Sequence, residues 1–224
     1  MRPLGIAIGS IRAAFRDIFS ARLGGLAFLC IAVALAGTIG AAWAAMRFLG
    51  PLIPEGTGTL GTAYMVAHWL INAGIVIIAI ALSPAVSMIA GGGLFDVAAA
   101  RVEKAIGAPP GRGVPALKGF FNGLRIALPA LFFNVIVIPL YFIPVVGVIV
   151  FFWLNGYLMG REYGTLAATR RMTWREARRL RRSAPLSFFL VGLVCSVIPF
   201  VAPLLGASAM TRLVTRLSSG SNSA

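Results

Sequence analysis

The most restrictive feature of this sequence is the length of its uncharged stretches. Residues 23–46, 56–95, 126–160 and 184–211 contain no Asp, Glu, Lys or Arg. Only 12% of the chain is charged and 59% is hydrophobic, whereas a soluble domain carries about a quarter charged residues. So small a charged fraction cannot cover a water-facing surface. The sequence therefore predicts an all-α integral membrane protein with a single membrane domain over residues 1–224.

Positive charge dominates the few charged positions. The 20 basic residues outnumber the 6 acidic ones and give a net charge of +14. Because they alternate along the chain with stretches that water would not tolerate, this excess fits the positive-inside rule better than a nucleic-acid surface. We therefore expect no nucleic-acid partner. All basic residues except Lys104 and Lys118 are arginine, whose planar fork suits oxyanions and lipid phosphates.

The sequence lacks the common catalytic and metal-binding motifs. It has no Walker-type phosphate loop, no HExxH and no CxxC. Cys30 and Cys195 lie in separate apolar stretches without a Cys or His at ligand spacing, which predicts buried apolar packing. His68 is the only histidine. We predict a protein that is not an enzyme and has no cofactor and no metal site. A membrane hydrolase using carboxylates alone is the remaining enzymatic alternative.

The N-terminal segment, residues 1–23, has the pattern of an amphipathic helix. Arg12 and Arg16 project from one face, and helical spacing places apolar side chains on another: Leu4, Ile8, Ile11, Phe15 and Ile18. This pattern predicts a helix lying flat in the membrane interface. The alternative is a cytoplasmic helix docked on the rest of the protein.

Two stretches, 24–48 and 63–90, are long enough to cross a bilayer, for which about 20 residues suffice. Helix is expected to continue over Ala98–Ile106 and to end at Ala108-Pro109-Pro110-Gly111. These lengths predict two long transmembrane helices.

Two further stretches are better explained as membrane-dipping hairpins. Residues 126–160 divide at Ile143-Pro144 into two helices, each marginal for a hydrocarbon core of about 30 Å. Residues 184–211 are interrupted by Pro199 and Pro203. A single span there would put the following arginines on the far side. A hairpin instead leaves every basic residue except Arg47 on one face, as the charge rule favours.

The segment 161–183 is the most basic part of the chain. Thr173-Trp174-Arg175-Glu176 has the spacing of a capping box, which predicts an Arg-rich surface helix after it. A polybasic helix beside a membrane most often binds anionic lipid. Just before it, Gly156, Gly160 and Gly164 recur every four residues, a spacing that lets helix backbones approach closely in lipid.

The candidate site residues are charged groups and glycines at the ends of the apolar stretches. Ionisable groups near hydrocarbon usually face a bundle interior or a wet cavity. Arg22, Gly24 and Gly25 stand at the start of the first span, where free N–H groups and flexible backbone suit an anion. A headgroup-anchoring arginine is the simpler alternative for Arg22. We predict substrate binding by Arg22, Gly24, Gly25 and Arg125, and ion pairs or pathway residues at Arg101, Glu103, Arg161 and Glu162.

From Trp153 onwards the sequence resembles the CysZ sulfate-permease family, part of a wider group of etoposide-induced membrane proteins. The resemblance rests on Trp153-Leu-Asn-Gly-Tyr157, Arg161-Glu162-Tyr163, the Arg-rich helix, Gly192, Ile198-Pro199, Ala202-Pro203 and Gly206-Ala207-Ser208-Ala209. Family members carry a Gly-Leu-Arg type motif before the first span that is implicated in sulfate binding. The matching region here is Ser20-Ala21-Arg22-Leu23-Gly24-Gly25, with the Arg and glycines in altered order.

The resemblance implies two long transmembrane helices, two membrane-dipping hairpins and a multi-pass protein of the bacterial inner membrane. It implies ATP-independent sulfate uptake, by a channel or a gradient-driven carrier, that feeds cysteine synthesis. It also implies a homo-oligomer, possibly with subunits of opposite orientation, whereas the charge asymmetry argues for one orientation. The alternative function is a non-transporting scaffold that binds membrane lipid through the helix after Thr173.

Overall fold

The structure, a computed structural model, describes residues 3–20, 23–49, 61–113, 116–143 and 145–221. Within these ranges the regular elements are helices, as the sequence predicts. In chain order they are α1 (Pro3–Ile18), α2 (Gly24–Leu49), α3 (Gly61–Ala105), α4 (Ala116–Tyr141), α5 (Val146–Thr169), α6 (Trp174–Ser183), α7 (Pro185–Val197), a 3-10 turn (Pro199–Val201) and α8 (Ala202–Ser221).

The α8 helix is the centre of the molecule. Residues 201–211 are buried on all sides, and α8 packs against α1, α3, α5 and α7. A helix that is apolar all round is stable only when it is surrounded. Small residues such as Ala202, Ala207 and Ala209 let its neighbours approach closely. α8 therefore forms the core on which the other helices are arranged.

Of the described helices, Gly24–Phe48 in α2 is the segment long and apolar enough to cross a membrane. Large side chains such as Phe28, Ile39 and Trp43 are exposed along it, as expected for a surface that faces lipid. Arg47 lies in its last turn, where a cation complements the helix dipole. The α6 and α7 helices meet the same test only as a pair, and they are bent by 93°.

The α3 helix is one continuous helix of 45 residues. It joins the predicted span 63–90 to the predicted extension over Ala98–Ile106. It ends at Ala105, before Pro109 and Pro110, so the predicted helix break is confirmed. At about 1.5 Å per residue the helix is roughly 68 Å long, more than twice the thickness of a hydrocarbon core.

The α4 and α5 helices follow one another in sequence and pack antiparallel, and a pair of polar side chains joins them. Asn134 and Asn155 are buried and contact each other through their side-chain amides at 3.4 Å, and Tyr141 Oη donates to Asn134 Oδ1 at 2.8 Å. Val145 precedes α5 with a φ of 66°. Both helices extend beyond the uncharged stretch 126–160, since α4 begins at Ala116 and α5 ends at Thr169. Pro144, part of the predicted turn, lies outside the described residues.

The predicted close approach of α5 is confirmed, and its partner is α7. A Cβ placed on Gly192 would lie 2.7 Å from the Cα of Gly160 and would also overlap the carbonyl oxygen of Gly156. A Cβ on Gly160 would in turn lie 2.9 Å from the carbonyl carbon of Phe188. The two backbones therefore touch where α5 and α7 cross, as small residues permit.

The α1 helix packs on α8 and α7 through small and polar residues. Ala7, Ser10 and Ala14 are completely buried, whereas Leu4 and Ile8 remain exposed. The small residues therefore make the closest contacts, as closely packed helices favour, and part of the apolar face that the spacing predicted is buried with them. α1 is docked on the protein and still presents Leu4 and Ile8 outward.

Candidate functional site

A buried cluster of charges lies where α3 ends and α5 ends. Arg170 follows α5 and is 4% exposed. Its Nε donates to Glu103 Oε1 at 3.1 Å and its Nη2 to Glu103 Oε2 at 2.9 Å. Its remaining terminal nitrogen, Nη1, donates to Asp96. One guanidinium thus bridges two carboxylates that stand on the same face of α3, two turns apart, in the bidentate geometry that only arginine offers.

The same cluster holds the loop between α3 and α4. The Gly111 N–H donates to Glu103 Oε2 at 3.0 Å, and the Arg112 N–H donates to the Arg170 carbonyl at 2.8 Å. Arg171 Nη2 contacts Glu103 Oε1 at 3.2 Å and donates to the Pro109 carbonyl at 2.9 Å. A Cβ on Gly111 would lie 2.7 Å from Glu103 Oε1, so a larger residue would displace the loop.

The charges of this cluster balance. Asp96 and Glu103 oppose Arg170 and Arg171, and each guanidinium has a carboxylate partner. Burial, with the neighbouring Arg171 as a second cause, lowers the pKa of Arg170. Since its positive charge is already matched, the cluster has little capacity to attract a further anion. Its role is to fix the ends of α3 and α5 and the loop between α3 and α4.

A second concentration of charge surrounds a cleft of about 1340 Å³ between α5, α6 and the start of α7. Its walls are formed by Pro129, Trp153, Tyr157, Gly160, Arg161, Glu162, Thr165, Leu166, Thr169, Trp174, Arg178, Arg181, Arg182, Pro185, Leu186, Phe188 and Phe189. We call this space the basic cleft. The confirmed capping box at Thr173 and Glu176 starts α6, which sets the direction in which its arginines point.

The charges of the basic cleft do not balance. Of the described residues, four arginines line it, at positions 161, 178, 181 and 182, against one carboxyl group, that of Glu162. Arg181 Nη1 donates to the Arg161 carbonyl at 3.0 Å and to Thr165 Oγ1 at 2.8 Å. Burial, and then the neighbouring arginines, lower the pKa of Arg181. This imbalance leaves the cleft with an excess of positive charge.

The residues predicted to bind substrate are only partly within the described structure. Arg22 lies outside the described residues, and so does the side chain of Arg125, which belongs to α4. Gly24 and Gly25 begin α2. The Gly24 N–H donates to the Ser20 carbonyl at 2.9 Å, so it is engaged within its own turn. A Cβ on Gly25 would meet no atom of the described residues within 4 Å, so those residues leave open space beside that backbone.

The four residues predicted as ion pairs or pathway residues lie in different places. Arg101 is exposed on α3, and Glu103 belongs to the buried cluster. Arg161 and Glu162 line the basic cleft together. The partner of Glu103, Arg170, was not among the predicted site residues, because the two are 67 positions apart and no local spacing signals their contact. The excess of arginine in the segment 161–183 could indicate only that one of its arginines pairs with Glu103.

The family of the chain follows from a comparison with known proteins. A model of the family described as sulfate transporter CysZ/etoposide-induced protein 2.4 matches residues 10–207. The chain belongs to this family. The match includes the buried cluster and the basic cleft. It covers all of α2 to α7, the second half of α1 and the first part of α8. It confirms the resemblance found in the sequence. No individually curated protein matches the chain. At the level of the family, this CysZ-family protein is a sulfate-transporter-like membrane protein.

Proposed function

We propose that this CysZ-family protein takes up sulfate across the bacterial inner membrane without hydrolysing ATP, as a channel or a gradient-driven carrier. The sulfate would supply sulfur for cysteine synthesis. The observation that carries the proposal is the family match over residues 10–207, which includes the apolar helices as well as the charged groups. Permeation of a dianion needs positive charge and N–H donors in place of water, and no acid–base step.

The membrane arrangement is part of the proposal. Residues 24–48 and 63–90 would cross the bilayer, while 126–160 and 184–211 would enter and leave by one face. The break of the helix at Pro199–Val201 and the contact of α8 with α1 support the second hairpin. The segments 1–23 and 161–183 would lie at the cytoplasmic surface. We expect a homo-oligomer, with subunits in one orientation because the arginines concentrate on one side.

Cysteine-accessibility labelling tests this arrangement. Cys30 and Cys195 are buried and would be replaced by Ala and Ser in the background. Single cysteines at Arg175, on α6, and at Arg216, near the end of α8, should both react with an impermeant reagent from the cytoplasmic side. A cysteine at Arg47 should react from the opposite side. Labelling of positions 175 and 216 from opposite faces would remove the second hairpin.

Sulfate would be bound by Arg22, Gly24 and Gly25 at the start of α2, together with Arg125 of α4. The open space beside Gly25 supports this location. Because the Gly24 N–H is engaged by Ser20, the ligand would depend mainly on the Gly25 backbone and on Arg22. Glu103 would act as an ion pair and not as a pathway residue, since the buried cluster satisfies it. Arg101 would remain a surface charge near the same end of α3.

Uptake of labelled sulfate into liposomes tests the function. Protein-containing vesicles should accumulate sulfate faster than protein-free vesicles. Loss of one charge-assisted hydrogen bond costs about 1.5–3 kcal/mol, so Arg22→Ala should reduce uptake at low sulfate about tenfold or more. Arg47→Ala, at the other end of the same helix, is the matched control and should transport normally. Unchanged uptake in Arg22→Ala would remove this site, and no uptake by the wild type would remove transport.

A second candidate function is a non-transporting scaffold that binds anionic lipid through α6. The exposure of Arg175, Arg178, Arg179 and Arg182 on that helix favours it. Replacing Arg178, Arg179, Arg181 and Arg182 together by Gln should then weaken binding to anionic vesicles. A wild-type chain that binds such vesicles and moves no sulfate would favour the scaffold. A chain that moves sulfate in purely zwitterionic vesicles would favour transport.

A further inference from the structure

The basic cleft has two chemically different sides. One side carries the guanidinium groups of Arg161 on α5 and of the three α6 arginines. The other side is apolar and aromatic, with Trp153 at 66% and Leu186 at 62% exposure. Tryptophan beside arginine is typical of the membrane–water interface, where one end of a side chain is wet and the other is in hydrocarbon. The cleft is therefore amphipathic within a single cavity.

The arginine side is partly fixed before any ligand binds. Within the described part of the chain, Arg181 is held by two bonds to α5, and Nη1 makes both of them. A guanidinium carries five N–H donors, so the bonds made by Nη1 leave the donors on Nε and Nη2. Among the described residues no carboxylate pairs with Arg161, Arg178 or Arg182 within 4.0 Å. Positive charges that line one cleft favour a bound anion with several acceptor oxygens, which phosphate supplies.

The carboxyl group of Glu162 is an independent indication of a ligand. Glu162 is 4% exposed and lines the cleft, and its Oε2 has no hydrogen-bond partner among the residues that the structure describes. Buried polar atoms in native proteins nearly always have a partner. A protonated carboxyl group would donate to an anionic oxygen, whereas an ionised one would repel it. A phosphate oxygen in the cleft would give the Glu162 carboxyl group the partner that the described side chains do not supply.

We infer that the basic cleft binds one anionic phospholipid, with its phosphate among the arginines and its acyl chains along Trp153 and Leu186. A lipid fits both sides of the cleft, because it joins a phosphate to hydrocarbon within one molecule. Free phosphate would satisfy only the arginine side and would leave the aromatic side exposed. The inference rests on the membrane location proposed above, but it does not depend on sulfate transport.

Quenching of tryptophan fluorescence by brominated lipid tests the site. In a Trp43→Phe, Trp69→Phe background, Trp153 and Trp174 remain, and both line the cleft. The full chain would be placed in phosphatidylcholine vesicles containing a minor fraction of phosphatidylglycerol whose acyl chains alone carry bromine. Saturable quenching at a low phosphatidylglycerol fraction is expected. Quenching no stronger than with brominated phosphatidylcholine at the same fraction would overturn the inference.

Two matched pairs of substitutions separate the cleft from general surface charge. Arg178→Gln with Arg182→Gln removes two cleft arginines, and Arg175→Gln with Arg179→Gln removes two arginines of the same helix that do not line the cleft. General attraction to an anionic surface weakens equally in both. The cleft pair should need about tenfold more phosphatidylglycerol than the control pair for half quenching. Equal shifts in the two pairs would contradict a specific site.

Inorganic phosphate and sulfate flux supply the remaining controls. Millimolar inorganic phosphate should not relieve the quenching, and relief would mean that the cleft holds a free anion. Sulfate uptake measured in phosphatidylcholine vesicles reports the proposed function separately. Selective quenching without uptake would remove the transport proposal and leave the lipid site. Uptake with unselective quenching would remove the lipid site and leave the transport proposal. Both substitution pairs should keep the thermal stability of the wild type, since all four arginines are exposed.

Discussion

Arg212 of α8 donates to Asp17 Oδ2 of α1 through Nη2 at 2.7 Å and through Nε at 3.2 Å, which joins the two ends of the chain. Ser208 Oγ, one turn earlier on α8, donates to the same oxygen at 2.6 Å. Asp17 is 5% exposed, so this carboxylate is held between two helices by three donors. The bond holds the end of α1 against the middle of α8.

Replacing Asp17 by Asn should therefore destabilise the protein. The change leaves Arg212 without its counter-charge, and breaking a buried ion pair costs about 3 kcal/mol or more. The Tm in detergent should fall by roughly 10 °C. Arg16→Gln removes an exposed charge of the same helix and is the control, with no measurable change expected. Adding Arg212→Gln to Asp17→Asn should recover part of the loss, and failure to recover any would argue against the ion pair.

The crossing of α5 and α7 gives a second prediction. In Gly192→Ala the new methyl group would meet the backbone of Gly156 and Gly160, which cannot move aside as a flexible side chain could. Overpacking of this kind costs about 1–3 kcal/mol, so the Tm should fall. Gly40→Ala on α2 is the matched control, because its Cβ would meet no described atom within 4 Å. A Gly192→Ala protein as stable as Gly40→Ala would show that the helices do not cross this closely.

The features that the sequence predicted correctly are mostly local. The capping box at Thr173 needs only four consecutive residues. The ends of α3 before Pro109 and of α7 before Pro199 follow from the missing N–H and the fixed backbone of proline. The spacing of Gly156 and Gly160 predicted a close approach of helices. It did not identify Gly192 as the partner, because that contact depends on the tertiary arrangement of α5 and α7 and no local sequence pattern indicates it.

The sequence was less informative about the groups that meet across the fold. It indicated Glu103 and Glu162 as charges that are energetically unfavourable near hydrocarbon, at the ends of apolar stretches. Their surroundings in the structure nevertheless differ completely. Glu103 is satisfied by Arg170, whereas Glu162 lines a cleft with an excess of arginines. Periodicity along one helix shows which face is apolar. It does not show which distant helix covers that face.

The bridge made by Arg170 should control the loop between α3 and α4. Arg170→Lys keeps the charge but cannot donate to both Glu103 and Asp96 in the same planar geometry. The loop should therefore open more often, and trypsin should cleave after Arg112 about tenfold faster if about 1.4 kcal/mol is lost. Mass spectrometry of the fragments would identify the bond that is cut. Arg175→Lys, on exposed α6, should be cleaved after Arg112 at the wild-type rate. Equal rates in the two variants would mean that the bridge does not restrain the loop.

The last prediction concerns the pH dependence of lipid binding in the basic cleft. Glu162 lies in the basic segment, outside the uncharged stretches, and burial raises its pKa to about 8, while Arg161 opposes the shift. The other charged groups among the described residues of the cleft are Arg178, Arg181 and Arg182. Below about pH 8 the carboxyl group is neutral and accommodates a phosphate, and above it the negative charge repels the phosphate. Quenching by brominated phosphatidylglycerol should therefore weaken as the pH rises from 7 to 9. Glu162→Gln, which cannot ionise, should keep its affinity across the same range. A wild type and a Gln variant with the same pH profile would exclude Glu162 as the titrating group.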